Sequence, residues 1–590
     1  MAAGLALTGG TVRVLDATGK ALTIASNKVA ASTGAYGPIT LGTAMPYRIE
    51  ACGTVGDKPV CLWGATNQGG TLNLTPLTSA ITMLASGQSP ETLMTGAAQG
   101  LADTDIAAAH TQLRTALASA LTDAGLASNF DLLTGALTPG SHTGYDRLLD
   151  TVSVSLGLDS KAYIALNSSL GSGTAYLEPG TSLGSLSLNA AAATVDFPGI
   201  DSLYKALGAA MPVANTCNTA LPALLDANVR ASLDLITTFA GPQSATTPLC
   251  LHMSGSLTGD VESLLASTLM PAAPSRCDFS GADPVCRVSL VFKTKAGVLR
   301  PVGVEQAVVK RPGGWLFLGN RLEVQASAVA RLVLTRRVDQ TAADVSSRNL
   351  DVRIPTYPGL QCARVSQKDT SGADVALALF KPVANATYLS LWATSASNAT
   401  PSLDPATGAT QGANAISLAV PGSTAGDTTV RNFIRAGRAL KVELFADGGC
   451  STPLAGADGG VVSIDVAGQL PLNLVGLSGQ PWPVLAPKSG TELVALKSTN
   501  GAITYSPTWT LQALAVNKVQ LCADAACNAK LSELDLAGNA LTAKLTATVG
   551  TQALNANAYR LLRLTGRTSS GLVLQLDTAS CAAQPANQAC

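Results

Sequence analysis

Alternation of apolar and polar positions dominates the chain, in runs of five to eight residues that suit strands better than helices. Over residues 9–75 the runs "TVRVLD", "GPITL" and "YRIEACG" are separated by turn chemistry such as "DATGK", which predicts a small β-domain. At Asn73 the period changes. In "NLTPLTSAITMLASG", Thr75 is placed to N-cap a helix and Pro76 to occupy its first position. The pattern continues through "SPETLMTGAAQGL". It is clearest in "TDIAAAHTQLRTALASALTDAG", where Ile106, Leu113, Leu117 and Leu121 share one face and Gly125 closes the helix. A short helix, "GYDRLLD", then runs into the strand "TVSVSLG".

Residues 160–195 read as polar β-structure. Helical segments return in "GIDSLYKALGAAM", "LPALLDANV" and "ASLDLITTF", followed by the strands "CRVSLVFKT", "VGVEQAVVK", "GWLFLGNRLEV" and "AVARLVLTRRV". From residue 350 onward everything reads as β, with "VALALF", "TYLSLWA", "AISLAV" and "LKVELFA" at sandwich spacing. A last unit from Trp482 contains "PTWTLQAL", "VNKVQLCADAACNAKL", "LTAKLTATV" and "AYRLLRLTG". No tandem repeat of solenoid period is visible. The expected fold is multidomain and mainly β: β-sandwiches plus a helical insertion and an α+β cone-like domain. The boundaries are 1–75 for a transthyretin-like β-sandwich, 76–150 for the helical segment and 151–198 for a β-rich connector. The α+β domain follows over 199–345, with sandwiches over 346–478 and 479–590.

Three stretches resemble known arrangements. The order of strand, Asp-x-x-Gly turn, Ala35-Tyr36-Gly37 and "PYRIEACG" resembles the carboxypeptidase-regulatory-like, transthyretin-type module, which implies a scaffold or binding element. "NLTPLT", the helices and "YDRLLDTVSVSL" together look like an arrangement found in exported bacterial proteins. Helices followed by a curved antiparallel sheet over 199–340, with Gly314, Trp315, Gly319, Asn320 and Arg321 in its penultimate hairpin, resemble the nuclear-transport-factor-2-like (SnoaL-like) cone. That resemblance implies an interior Asp, His or Tyr in catalytic members, for which His252, Asp201, Tyr204 and Glu305 are the candidates here.

Composition narrows the function classes. A chain of 590 residues exceeds one core and suggests several domains. Only 13% of residues are charged, and Lys plus Arg balances Asp plus Glu at 38 each, so no net field steers nucleic acid or an anionic membrane. No apolar run reaches the roughly 18 residues of a membrane span. The lean on small residues resembles bacterial surface and filament proteins. The opening "MAAGLALTGGTVRV" has no basic n-region or cleavage site, and is expected to be a mature chain whose export signal, with any lipoprotein anchor, is not part of it. The same apolar segment is either a strand donated to a neighbouring subunit, the first strand of its own sheet, or a disordered lead.

Twelve cysteines fall into neighbouring couples: Cys52/Cys61, Cys217/Cys250, Cys277/Cys286, Cys362/Cys450, Cys522/Cys527 and Cys581/Cys590. No Cys-x-x-Cys pair and only three histidines accompany them, so disulfides in an oxidising compartment fit better than zinc.

Catalytic signatures are weak. Ser182 sits in Gly-x-Ser-x-Gly, but Pro179 precedes it and the β-like "SLSLNA" follows, where a nucleophile elbow needs strand, turn and helix. His110 lies on a helix, His142 in a Gly-Ser-Thr loop, and His252 in the cone-like segment. Lys310 and Glu305 fall on alternating strand positions, and Trp315 suits sheet packing better than substrate binding. Turns at Asp16, Asp404 and Ala457 lack a calcium ladder. Trp63, Trp392, Trp482 and Trp509 are sparse for glycan platforms. We therefore expect no catalytic residues, no cofactor and no metal. The expected role is a secreted or cell-surface structural or adhesive protein, a filament or matrix subunit. Its place is the extracellular space, periplasm or outer-membrane surface of a bacterium. Its partners are further copies or other cell-surface components. A small-ligand or glycan binding module, and a hydrolase with an unrecognised site, are the alternatives.

Overall fold

The computed structural model describes residues 2–580 except 25–27, 31–32, 57, 97–99, 159–161, 173, 232–238, 241, 243–245, 247–248, 252, 254–263, 302–305, 320–323, 340–342, 369–372, 395–401, 434–438, 456–459, 467–469, 472–479, 481, 499–500, 511–514, 537–539, 550–558 and 569–571. The fold is multidomain and mainly β, with several separate sheets and a minority of helices. Two compact units emerge, both discontinuous in sequence. One comprises Met1–Ser327, Arg353–Ile416 and Ala436–Asp465; the other comprises Ala328–Val352, Ser417–Arg435 and Val466–Cys590. Among the described residues no helix is long and apolar enough to cross a membrane.

In the first unit, the strand Leu5–Leu15 pairs with Tyr47–Val55, which pairs with Lys58–Thr66, all antiparallel. The N-terminal Ala2–Ala3 folds back onto Leu5–Leu15, so this segment belongs to its own sheet. Alternation sends Val12 and Val14 inward, and the register shift between Thr8 and Thr11 brings Leu7 to the same face, against Tyr47, Ile49 and Leu62. The helix Pro76–Ser86 starts as the sequence dictates: the Thr75 hydroxyl accepts from the Thr78 backbone, Pro76 is in the first turn, and Gly87 closes the helix at φ 66°. The long helix expected over 104–125 breaks at Leu117 into Asp103–Ala116 and Ala118–Asp123. Buried Arg48 ties the sheet to the helical segment. Its guanidinium donates to the carbonyls of Leu93, Asp16 (2.7 Å) and Gly96 (2.9 Å). Gly19 faces the same junction: at φ 87° a Cβ there would meet the Gly96 carbonyl oxygen at 2.4 Å.

The helix Gly144–Thr151 leads into the strand Val152–Leu158 of a second sheet with Ala162–Ser168, Thr174–Glu178 and Thr181–Leu183. Helix Phe197–Ala210 then packs through Ile200, Leu203 and Leu207 on a core shared with the sheet Arg276–Asp278, Val285–Val288, Gln306–Arg311 and Gly314–Phe317. Trp315 is buried in that core. The helix expected over "ASLDLITTF" is not formed at its ends: Arg230–Ala231 and Phe239–Ala240 pair as short strands, and 232–238 lies outside the described residues. "LPALLDANV" gives only a 3-10 turn at Leu221–Leu224.

The region after 350 is not wholly β. Helices occupy Thr424–Phe433 and Pro487–Ala495, the second opened by Pro487 in its first turn and burying Ser489, Gly490 and Leu493 on one face. A six-stranded sheet in the first unit carries Cys362–Lys368 at its centre, paired with Asp374–Lys381 and Ala439–Phe445. A seven-stranded sheet includes Ser327–Arg337, Val345–Arg353, Ala515–Cys522, Arg560–Arg567 and Val573–Ser580. Its strands Ser327–Arg337 and Val573–Ser580 run parallel, pairing Arg331 with Val573. Arg331 fixes several of them together, donating to Asp351 (2.7 Å), Ser417 (3.1 Å) and Gln575 (2.8 Å).

The two large sheets contain a repeat that lies outside any solenoid period. "KVELFADGGCSTPL" over 441–454 matches "KVQLCADAACNAKL" over 518–531. Each is a strand followed by an Asp-capped turn whose cysteine has positive φ, 55° at Cys450 and 61° at Cys527. Five disulfides join Cys52–Cys61, Cys217–Cys250, Cys277–Cys286, Cys362–Cys450 and Cys522–Cys527. The couple Cys581/Cys590 lies outside the described residues.

Candidate functional site

Buried charge in the first unit gathers at the start of the helix Gly144–Thr151. Positions 146 and 150 are one turn apart, so Asp146 and Asp150 share a face, while Tyr145 and Leu148 point into the core. The residue before the cap, His142, takes φ 56°, which turns its ring back over that face. Its backbone N–H donates to Asp146 Oδ2 at 2.8 Å. A carboxylate in the first helical turn also suits the positive end of the helix dipole.

The imidazole is held from both sides. His142 Nδ1 lies 2.8 Å from Asp150 Oδ2, and Nε2 lies 3.0 Å from Asp201 Oδ2 on the helix Phe197–Ala210. The Phe197 ring stacks on it at 5.9 Å and 15°. Arg147 stands 5.4 Å over the same Phe197 ring but spends its Nε on Asp123 at 2.9 Å. With a carboxylate at each ring nitrogen both must donate, so the ring is an imidazolium. Asp150 above all, then Asp201, pushes its pKa up to about 10 against the opposing pull of burial. Burial raises Asp150 despite the imidazolium, and burial pushes Asp146 up to about 6. The other oxygen of Asp146, Oδ1, is buried without a hydrogen bond. His142, Asp146 and Asp150 each offer a ligand atom, all within 4.8 Å of one another. Gly4 closes the site from the first strand region: a Cβ there would meet Asp150 Oδ1 at 2.3 Å.

The residues singled out from the sequence lie elsewhere or play other parts. Asp201 joins this cluster through His142 Nε2. Tyr204, one turn on, donates its hydroxyl to the Ser289 carbonyl. His252, Glu305, Asn320 and Arg321 lie outside the described residues. Ser182 sits on the exposed strand Thr181–Leu183, where its hydroxyl accepts from Gln112 Nε2 at 3.2 Å. His110 accepts from the Leu132 backbone at 3.1 Å, and burial lowers its pKa. Lys310 donates to the Thr194 carbonyl at 3.2 Å. Trp63, Trp392, Trp482 and Trp509 are buried, and three of them spend the indole N–H on Glu50, Asp404 and Ala540. The Asp16 turn is closed by its own hydrogen bonds from Thr18 and Lys20.

Sequence reasoning missed the cluster, although a signal was present. In "SHTGYDRLLDT", His142, Asp146 and Asp150 recur every four residues, the spacing of one helical face. Asp201 carries no such signal.

No family model matches the chain, and no curated protein matches it. Among solved structures it is similar to the one titled crystal structure of tetra-tandem repeat in extending region of large adhesion protein. The likeness covers 73% of this chain and 92% of that one, at 10% identity and a TM-score of 0.13. At that TM-score no shared fold follows.

Proposed function

We propose that this protein is a structural or adhesive component of an extracytoplasmic compartment, at a cell surface, in a matrix or in a filament. The observation that supports this reading most is the distribution of its disulfides. Two of them join residues directly opposite on paired strands, Cys52 with Cys61 and Cys277 with Cys286, and a third spans 88 residues from Cys362 to Cys450. Disulfides form and persist where the environment is oxidising. Bonds between neighbouring strands lock sheet register against slippage, a property suited to a load-bearing or exposed module. The chain's zero formal net charge leaves little electrostatic protection against self-association.

Sedimentation velocity over a hundredfold concentration range, with negative-stain imaging, tests the reading. Ordered multimers, or saturable attachment to the surface of the source cells, are the expected results. A chain that stays monomeric at the highest concentration and attaches to nothing there overturns it.

A further inference from the structure

We propose that His142, Asp146 and Asp150 bind one divalent transition-metal cation of the zinc class, with Asp201 orienting the histidine from behind. This goes beyond the role proposed above and departs from the sequence expectation of no metal. Three observations carry it. The ligand atoms of the three residues already lie within 4.8 Å of one another. A tetrahedral cation with bonds of about 2.0–2.2 Å spaces its ligands roughly 3.4 Å apart, so side-chain rotation over a short distance closes the set. One imidazole nitrogen with two carboxylates suits zinc and its first-row neighbours, whereas calcium and magnesium take oxygen ligands.

The second observation is the orphan oxygen. Asp146 is fully buried, its Oδ2 is fixed by the His142 backbone N–H, and its Oδ1 has no hydrogen bond of normal geometry, since the Gly140 backbone N–H that also acts on this carboxylate is spent on the Gly4 carbonyl at 2.9 Å. A buried carboxylate oxygen with no donor is costly, and a cation satisfies it. The third is the make-up of the cluster. Three carboxyl groups, Asp146, Asp150 and Asp201, gather around one imidazole, while the nearby guanidinium of Arg147 is engaged by Asp123. A divalent cation is the partner that this set of acceptors lacks.

Binding is a proton-for-metal exchange. The Nδ1 proton now shared with Asp150 Oδ2 leaves to solvent, Nδ1 takes the cation with its freed lone pair, and Asp150 Oδ2 turns from proton acceptor to ligand. Nε2–H stays on Asp201 Oδ2, the carboxylate–histidine–metal relay that fixes tautomer and ring orientation. Asp146 enters through the orphan Oδ1 without giving up its hold on the His142 backbone. Three protein ligands leave a fourth position for water.

The test uses the full chain, stripped with chelator and titrated with Zn²⁺ by calorimetry in buffers of different ionisation enthalpy, with metal analysis after dialysis. The expected result is one zinc per chain with release of a proton, and no competition from excess Ca²⁺ or Mg²⁺. Asp146→Asn keeps an acceptor for the backbone N–H and should weaken binding at least tenfold. Asp201→Asn should weaken it about 10- to 100-fold, the scale of a lost partner behind a ligand. Ring ¹⁵N spectra of the wild-type protein keep the test decisive should either variant fail to fold: the His142 Nδ1 signal must shift to a metal-bound value. Absence of stoichiometric zinc, an unmoved His142 ring, equal binding of calcium, or zinc affinity unchanged in a folded Asp146→Asn variant would each overturn the proposal.

Discussion

The turn after the strand Ala439–Phe445 and the turn after the strand Ala515–Cys522 are built alike and cross-linked differently. In both, the first alanine donates across the turn, Ala446 to Thr452 at 2.8 Å and Ala523 to Ala529 at 2.9 Å. In both, an aspartate gathers the backbone: Asp447 accepts from Thr452 N at 2.6 Å and Ser451 N at 3.1 Å, and Asp524 accepts from Asn528 N at 3.1 Å and from Ala529 N. The valine and leucine of each strand, Val442 and Leu444 or Val519 and Leu521, are fully buried. The difference lies in which neighbour supplies the second sulfur. In the six-stranded sheet Phe445 stands opposite Cys362, and Cys450 bonds across the strands to Cys362. In the seven-stranded sheet Cys522 stands opposite Leu561, and Cys527 bonds within its own turn to Cys522. Cysteine and the bulky apolar residue have exchanged places between two paired strands. One disulfide therefore closes 88 residues and the other five, around the same turn.

If the shared turn sets geometry and loop length sets stability, the two bonds differ in worth. In the chain-entropy account, replacing Cys362 and Cys450 by alanine costs about 4–5 kcal/mol, and replacing Cys522 and Cys527 about 2 kcal/mol. Urea unfolding of the two double variants measures this, and equal losses would break the loop-length explanation. The next effect is a transplant. Cys522→Phe with Leu561→Cys rebuilds in the second unit the arrangement of the first. We expect non-reducing peptide maps to show Cys527 bonded to the new thiol at position 561, with a gain of about 1–2 kcal/mol over the native short loop. Free thiols at both positions would show that the two sheets are not equivalent there.

Smaller effects sharpen the comparison within the turns. Where the second turn has Ala525 and Ala526, the first has Gly448 and Gly449. A Cβ at Gly448 meets nothing within 4 Å, whereas one at Gly449 meets Asp447 Oδ2 at 2.9 Å. Gly448→Ala should therefore stabilise by about 0.4–1 kcal/mol through the unfolded chain, and Gly449→Ala by less. A Tm that falls in the first variant would mean the turns differ in backbone. The last effect is in acid. Backbone hydrogen bonds from Thr452 and Ser451 hold Asp447 down at about 2. At Asp524 burial pulls the other way, and backbone hydrogen bonds from Ala529 and Asn528 outweigh it, keeping the group below the usual carboxylate range. A depressed folded pKa contributes stability that is present above the unfolded value and lost as pH falls through the folded one. Protection of the amides at 451 and 452, relative to their intrinsic exchange at each pH, should fall between about pH 4 and pH 2, where the unfolded and folded values lie, and Asp447→Asn should remove that dependence. Both aspartates are only partly buried, so solvent screens the effect.

Sequence reading reached the strand that leads into each turn, because Val and Leu alternate with Lys and Glu or Gln at strand period. It paired Cys362 with Cys450 and Cys522 with Cys527 only by neighbourhood along the chain. It did not see that the two turns match, since they lie far apart in the chain and only their strand-and-turn core is shared. The candidate site divides the same way. The four-residue spacing of His142, Asp146 and Asp150 was there to be read, whereas Asp201 entered only as a candidate implied by the cone resemblance, with nothing to link it to His142.

What the sequence settled by itself is local. Thr75 and Pro76 start a helix, Gly87 stops it, Cys52 and Cys61 close a hairpin, and "GYDRLLD" makes one helical turn after another. Each rests on a cap, a turn or a period that operates over a few residues, at a closure entropy the chain meets locally. Only the tertiary structure decided the rest. It brought Asp201 to His142 across 59 positions, clamped Arg48 on the carbonyls of Leu93 and Gly96, and laid Arg331 parallel to Val573 in one sheet. Such partners are chosen by burial and by the demand of buried charges and backbone groups for hydrogen bonds. That demand is met by whatever the folded chain brings near, and adjacency in sequence does not specify it.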